Sequence, residues 1–226
     1  MTYAPADEGR HPPGDQTWWA EGWTFTFHEP AAGVGGYVGV VLLPGQQRAW
    51  YWCALVRPGA PLLSVVDLDQ TVPLQGLRLR RGSLWADHTC EAPFEQWTVG
   101  NETYAVALDD PEEALRQARG DAVPVAFDLE WYAEGPATPL GEGGIEGYEQ
   151  PGEVRGGIEL KGGGLEVTGP GHRTHWWGVR DWFGTGFGVP AEGVRAPVLL
   201  TSGDGRAAAL EHVLTPTGWR TWCRPR

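Results

Sequence analysis

The sequence predicts an all-β fold, an antiparallel sandwich or barrel, and three observations carry that expectation. Short runs rich in Val, Trp, Tyr, Phe and Thr alternate with the period of a strand, as in Trp23-Thr24-Phe25-Thr26-Phe27, Trp50-Tyr51-Trp52 and Phe127-Asp128-Leu129-Glu130-Trp131. The chain's 34 glycines and 19 prolines punctuate these runs as turns do. Its 13 tryptophans are more indole than filling a small core requires, because each buried Trp N–H wants a partner. Together these features imply β-structure lined with rings around an apolar guest, with a few polar groups at one end.

A polar, proline-rich arm occupies residues 1–16. The first half, 17–120, carries strand patterns near 23–28, 37–43, 48–57, 62–67, 75–80, 83–90, 94–99 and 103–108. One short helix is expected near the middle of the chain. Asp110 suits its N-cap, Pro111 its first position and Glu113 a capping-box partner; Arg116 and Arg119 favour its last turn, and Gly120 ends it. The second, compact half, 121–226, shows strand patterns near 124–133, 153–160, 164–168, 174–182, 196–201, 207–214 and 219–224. Its acidic, glycine-rich stretch 134–147 lacks the pattern and reads as a loop. Gly33-Val34-Gly35-Gly36 and Gly162-Gly163-Gly164 read as hairpin turns or bends, since no helix follows either to make a phosphate site.

Composition narrows the partners. Lys plus Arg is 17 against 29 Asp plus Glu, a formal charge of −12 spread along the chain, which disfavours nucleic acid and anionic lipid. The apolar runs 38–43 and 197–200 fall far short of the roughly 20 residues a membrane span needs. The first 15 residues have no apolar signal-peptide core, so a soluble cytoplasmic protein is expected. Cys53, Cys90 and Cys223 are odd in number and widely spaced, which argues against a disulfide framework and gives zinc no support. No cofactor or metal is expected, and a homodimer is compatible with the sequence.

Two segments mix rings with titratable groups. If 174–182 is a strand, His175, Trp177, Val179 and Asp181 share one face, while Thr174, Trp176, Gly178, Arg180 and Trp182 share the other. A His followed by a carboxylate on its own face is a candidate acid–base element, since imidazole titrates nearest neutrality. The competing reading is a core His bonded to backbone with an Arg stacked on indole. His172 and His175 lie three apart and face opposite sides of a strand, which argues against a shared metal. In the second segment Trp85, Asp87, Thr89 and Glu91 share one face and His88 and Cys90 the other; solvated edge residues are the bland alternative. His28 ends an aromatic strand near a turn, where pocket-rim residues often sit. Tyr132 could donate a proton, although tyrosine in such a strand is usually packing.

The segments His11-Pro12-Pro13-Gly14-Asp15, Trp23-Thr24-Phe25-Thr26-Phe27-His28-Glu29-Pro30, Leu108–Leu115, Val123–Trp131 and Gly171–Trp182 resemble the carotenoid hydratase-like, AttH-type proteins related to hydroxyneurosporene synthase. The resemblance runs along most of residues 11–183. It is most specific at His172-Arg173-Thr174-His175-Trp176-Trp177-Gly178-Val179-Arg180, which looks like that family's Arg-Asp-His-Ser-Trp-Gly-x-Arg signature. It implies paired calycin, lipocalin-like β-barrel halves around a hydrophobic cavity, and hydration of an isoprenoid double bond or, more distantly, pericyclic ring formation. The implicated His and Trp map onto His175 and Trp177. The chain departs from the signature at Thr174, where Asp is usual, and at Trp176, where Ser is usual.

The expected function is therefore cofactor-independent acid–base chemistry on a hydrophobic polyene, isoprenoid or polycyclic metabolite: hydration, isomerisation or cyclisation. His175 or Asp181 would be proton donor or relay, with Asp87 and Glu91 as alternatives. Trp177 and Trp182 would shape the cavity. Trp23, Trp52, Trp85, Trp97 and Trp131 would supply further lining, with His28, Arg180 and Tyr132 at its rim. The alternative is a non-catalytic, lipocalin-like carrier of a hydrophobic small molecule.

Overall fold

The computed structural model describes residues 3–29, 31–110, 118–140 and 145–179 with their side chains, and the backbone of three strands between 194 and 225. The expected helix falls on 111–117, outside the described residues, as do Arg180, Asp181 and Trp182.

The strands in order are β1 (Trp19–Glu29), β2 (Val34–Leu43), β3 (Arg48–Val56), β4 (Leu62–Thr71), β5 (Leu79–Arg81), β6 (Leu84–Ala92), β7 (Gln96–Leu108), β8 (Asp121–Ala133), β9 (Thr138–Pro139), β10 (Ile145–Leu160) and β11 (Gly163–Val179). All pair antiparallel, in the order β4-β3-β2-β1-β11-β10-β8-β7, and β4 pairs with β7 to close the ring. Strands from both sides of residue 120 share this one barrel. A separate antiparallel sheet contains β12 (Val194–Thr201), β13 (Ala207–Thr215) and β14 (Gly218–Pro225). The all-β, barrel-forming reading of the sequence therefore stands.

Alternation decides which residues fill the ring. On β1 the inward set is Glu21, Trp23, Phe25 and Phe27, and on β8 it is Val125, Phe127, Leu129 and Trp131; all are buried. All of them but Glu21 meet Val38, Tyr51, Leu55, Trp97, Val99, Val154 and Ile158 in one apolar cluster. A closed ring of this strand number is just wide enough for such side chains to fill it. Away from one mouth, this interior is packed by the protein's own residues.

Three strands run longer than the sequence pattern suggests, and for β10 and β11 glycine is the reason. Glycine permits backbone approach where the apolar period breaks, so pairing continues through segments that look like turns. β11 is continuous from 163 to 179 although Gly169, Pro170 and Gly171 interrupt its pattern, because a Cβ on Gly169 would collide with the His28 carbonyl of β1. β7 joins two expected strands. β10 begins at Ile145, so the supposed loop 134–147 contributes its last residues to that strand, and Thr138–Pro139 forms β9 beside it.

β10 also holds the strand that matters most against its neighbour. Gly147 adopts φ +143°, and a Cβ there would lie 2.6 Å from Trp176 Cα and press on the His175 carbonyl. Gly147→Ala is expected to cost about 1–3 kcal/mol in chemical denaturation, from strain and displacement of β11 together. A neutral outcome would mean that β10 does not approach β11 this closely.

β7 changes partners along its length. Residues 96–102 pair with β6, whereas Val106, Ala107 and Leu108 pair with β4. The β5–β6 hairpin therefore splays from the ring at the mouth where β1 and β10 begin and β11 ends.

Candidate functional site

The N-terminal arm lies across that mouth. Its turn of 3-10 helix, Pro5–Glu8, buries Glu8, which is 3% exposed. The Phe94 N–H and Trp97 Nε1–H donate to Glu8 at 2.8 and 2.9 Å, and Arg173 grips both of its oxygens, with Nη1 at 2.9 Å from Oε2. Arg173 is 1% exposed and faces into the ring two residues before His175. It also donates to the Gln150 side chain, from the position opposite it on β10. Four rings surround its guanidinium: Trp131 at 4.8 Å, Tyr148 at 5.2 Å, and Phe94 and Trp97 at 5.8 Å. The arm is thus pinned by a buried, fully bonded ion pair.

One step along β11, register builds a second cluster. Trp23 on β1 and Tyr148 on β10 are the residues opposite His175, which has no exposed surface. Trp23 stacks on the imidazole at 4.4 Å and 20°. His175 Nε2 lies 2.9 Å from Glu21 Oε1, and Nδ1 lies 3.2 Å from the Tyr148 hydroxyl. From the arm, His11 places its N–H and its Nδ1 on the same carboxylate, at 3.0 and 2.7 Å, and stacks on Trp177 at 3.6 Å. Asp7 contributes its carbonyl oxygen to the Tyr148 hydroxyl at 3.3 Å.

The electrostatics follow from burial and partners. Burial raises the Glu21 carboxyl, but the donors from His11 and His175 outweigh it and leave its pKa below the ordinary value, so Glu21 is an anion. Burial lowers His175 and Glu21 pulls it part of the way back, so the resting imidazole is neutral. Glu21 then receives the Nε2–H, and Nδ1 is the basic nitrogen. Burial raises Tyr148 far above its ordinary range, so it stays a neutral O–H donor. A neutral imidazole with a carboxylate behind it is primed to accept a proton, because Glu21 and the Trp23 face both stabilise the imidazolium that forms.

His11, Glu21 and His175 bring their ligand-type atoms within 4.8 Å of one another. Chemically the set suits a divalent transition metal. Yet both nitrogens sit at direct hydrogen-bonding distance from one Glu21 oxygen, 2.7 and 2.9 Å, so the protein's own protons already occupy the space between them. The three side chains form a continuous hydrogen-bonded proton network.

Two clefts flank the arm. One, of about 530 Å³, is bordered by Gly14, Gln16, Trp19, Glu146 and Trp177. The other, of about 450 Å³, opens between the arm and the splayed hairpin over Trp23, Leu77, His88, Cys90 and Trp97. Asp87 is at its rim but points away from the ring core and pairs with Arg78. Glu91 is exposed and accepts from the Thr98 hydroxyl. Neither carboxylate joins His175, because alternation on β6 sends them outward and His88 inward. Of the expected lining rings, Trp23 and Trp97 border this cleft and Trp177 borders the other, while Trp131 is buried beneath Arg173. Trp85 and Trp52 lie on outer faces: Trp85 is 36% exposed, and Trp52 covers Gly39. His28 is half-buried at the far end of β1, and Tyr132 is bonded to Glu130 on the outer face.

Sequence reasoning passed over Glu8, His11, Glu21, Tyr148 and Arg173. For Glu21 and Arg173 a signal existed: each shares its strand's inward period with apolar or aromatic neighbours, where a charge requires a reason. The arm residues carry no periodicity that could place them.

Outside the ring, Glu149 and His172 lie 3.5 Å apart, with the Glu149 carboxyl pushed up by burial to about 8. Trp176 packs nearby across Gly22. His172 and His175 therefore do face opposite sides of β11.

His88 makes a pH prediction. Burial pushes its pKa down to about 4, so below about 6.5 the unfolded chain binds a proton that the fold refuses. Its contribution is complete above the unfolded value and is lost as pH falls through the folded one. Relative to His88→Phe, the wild type is expected to lose about 3 kcal/mol between pH 7 and pH 4, read from denaturation midpoints. A difference independent of pH would show that His88 is charged or exposed in the fold.

Residues 4–188 match the family described as a domain of unknown function, DUF7064. No curated protein matches the sequence. Among solved structures, a candidate AttH from Nitrosomonas europaea is similar over all of this chain and 73% of its own, with 14% identity and a TM-score of 0.51. Kievitone hydratase from Nectria haematococca is similar over 99% of this chain and 67% of its own, with 11% identity and a TM-score of 0.44. The first likeness is one of fold; the second is too low to bear on function.

Proposed function

Because the chain belongs to the DUF7064 family, whose description assigns no activity, its function must be read from its own residues, and we propose that it is a cofactor-independent acid–base enzyme of hydratase type acting on an apolar, unsaturated metabolite. The observation that carries this reading is a neutral His175 held inside the barrel mouth between the Glu21 carboxylate, the Tyr148 hydroxyl and the Trp23 face.

In the reaction, His175 Nδ1 takes a proton from water while the water oxygen adds to an activated double bond, and the proton returns from the imidazolium to the neighbouring carbon. For isomerisation without addition of water, Nδ1 instead takes the proton from an allylic carbon and the imidazolium returns it to the far carbon of the double bond as that bond shifts. Glu21 fixes the tautomer and stabilises the cation, and the Tyr148 O–H, released from the Asp7 carbonyl, donates to the substrate carbonyl oxygen that activates the double bond. Trp23 both stacks on His175 and borders the 450 Å³ cleft, so the substrate lies one ring away from the base. Contact requires the arm carrying Asp7, Glu8 and His11 to part from the mouth. The AttH-like fold is compatible with this reading.

The full burial of His175 favours a second reading, a carrier in which the same network only closes the barrel. Mass spectrometry of small molecules that co-purify, followed by incubation of each with fresh protein, separates the two. An enzyme gives a product heavier or lighter by one water, or an isomer of changed retention. Recovery of every bound compound unchanged supports the carrier.

A further inference from the structure

We infer that the 450 Å³ cleft is a binding site for a neutral, largely apolar small molecule whose hydroxyl group is held at the floor by His88 and Trp23. This rests on the cleft alone and stands whether the protein is a catalyst or a carrier.

Buried polar atoms in folded proteins are almost always paired. Here the Nε1–H of Trp23 is buried without a partner, the ring nitrogens of His88 are buried with no more than a weak approach to the Asp87 backbone, and both residues border the same cleft. His88 is fixed rather than loose: it stacks on Tyr51 at 6.1 Å and 15° and tilts against Phe25 at 6.2 Å. The Tyr51 hydroxyl is engaged by Asn101. A hydroxyl suits these two groups because it accepts from the indole N–H while donating to the unprotonated imidazole nitrogen.

The remaining lining argues against a charged group at that depth. Glu8 is held by Arg173, Arg78 by Asp87, and Arg10 donates to the Pro73 carbonyl. The floor itself offers Trp23, Leu77 and Trp97 beside a His88 that burial keeps uncharged. The volume falls in the range of small-molecule sites, which are mostly apolar with few polar anchors.

Calorimetric titration of the whole chain with 2-naphthol, 2-methylnaphthalene and 2-naphthoate tests this. The expected result is that 2-naphthol binds about tenfold more tightly than its methyl isostere, the worth of a buried hydrogen bond, and more tightly than the carboxylate. His88→Phe, which keeps a ring on Tyr51, should abolish the preference for the hydroxyl and leave 2-methylnaphthalene binding as before. Equal affinities, a preference that survives His88→Phe, tighter binding of 2-naphthoate, or no binding of any probe overturns the inference. If His88→Phe does not fold, imidazole nitrogen resonances of wild-type His88 decide: they move on adding 2-naphthol, or the inference fails. None of these readouts depends on turnover, so they are separate from the test of His175.

Discussion

Glu8→Ala is expected to cost about 3–5 kcal/mol of stability, the usual penalty for stranding one member of a buried ion pair. Arg173 would keep Gln150 and its four rings, but its charge would lose its counterion inside the barrel. Phe94 N–H and Trp97 Nε1–H would lose their acceptor as well. Because Glu8 belongs to the arm, the same change should release residues 3–15 and raise proteolysis there. Adding Arg173→Met should restore most of the stability without restoring the arm, since removing both charges removes the desolvation problem. A loss below about 1 kcal/mol for Glu8→Ala would mean that the arm is not docked on Arg173.

The second large effect concerns chemistry. His175→Asn should reduce turnover by about 10²–10⁴-fold, the range attributed to a positioned general base, while ligand affinity stays within a few-fold of wild type. Asn keeps an N–H for Glu21, so the fold is preserved better than with Ala. Glu21→Gln should fall between the two, because it no longer stabilises the imidazolium and no longer dictates the tautomer. It also leaves the two donors of His11 facing an amide. Turnover unaffected by His175→Asn would assign the network to structure alone.

Much of this arrangement was legible in period-two alternation. The inward facing of His175 and Trp177, with Trp176 outward, follows from β11 being a strand, and the separation of Asp87 from His88 follows from β6 being one. What alternation cannot reveal is register between strands. Glu21 meets His175 only because β1 and β11 pair with Trp23 opposite His175, a contact across 154 residues of sequence. Tyr148 was hidden for another reason. It follows a glycine-rich, acidic stretch that reads as loop, and Gly147 extends the strand into it. The arm was read as a polar tail, yet it buries its carboxylate, because nothing in Pro5-Ala6-Asp7-Glu8 announces that Arg173 awaits it.

As the base, His175 exchanges a proton with a carbon of the bound molecule. The most direct measurement is incubation of the co-purifying ligand with wild-type protein and with His175→Asn in deuterated water, followed by mass analysis. One deuterium should be fixed on carbon with the wild type and none with the variant. A ligand that emerges from both without carbon-bound deuterium would contradict it.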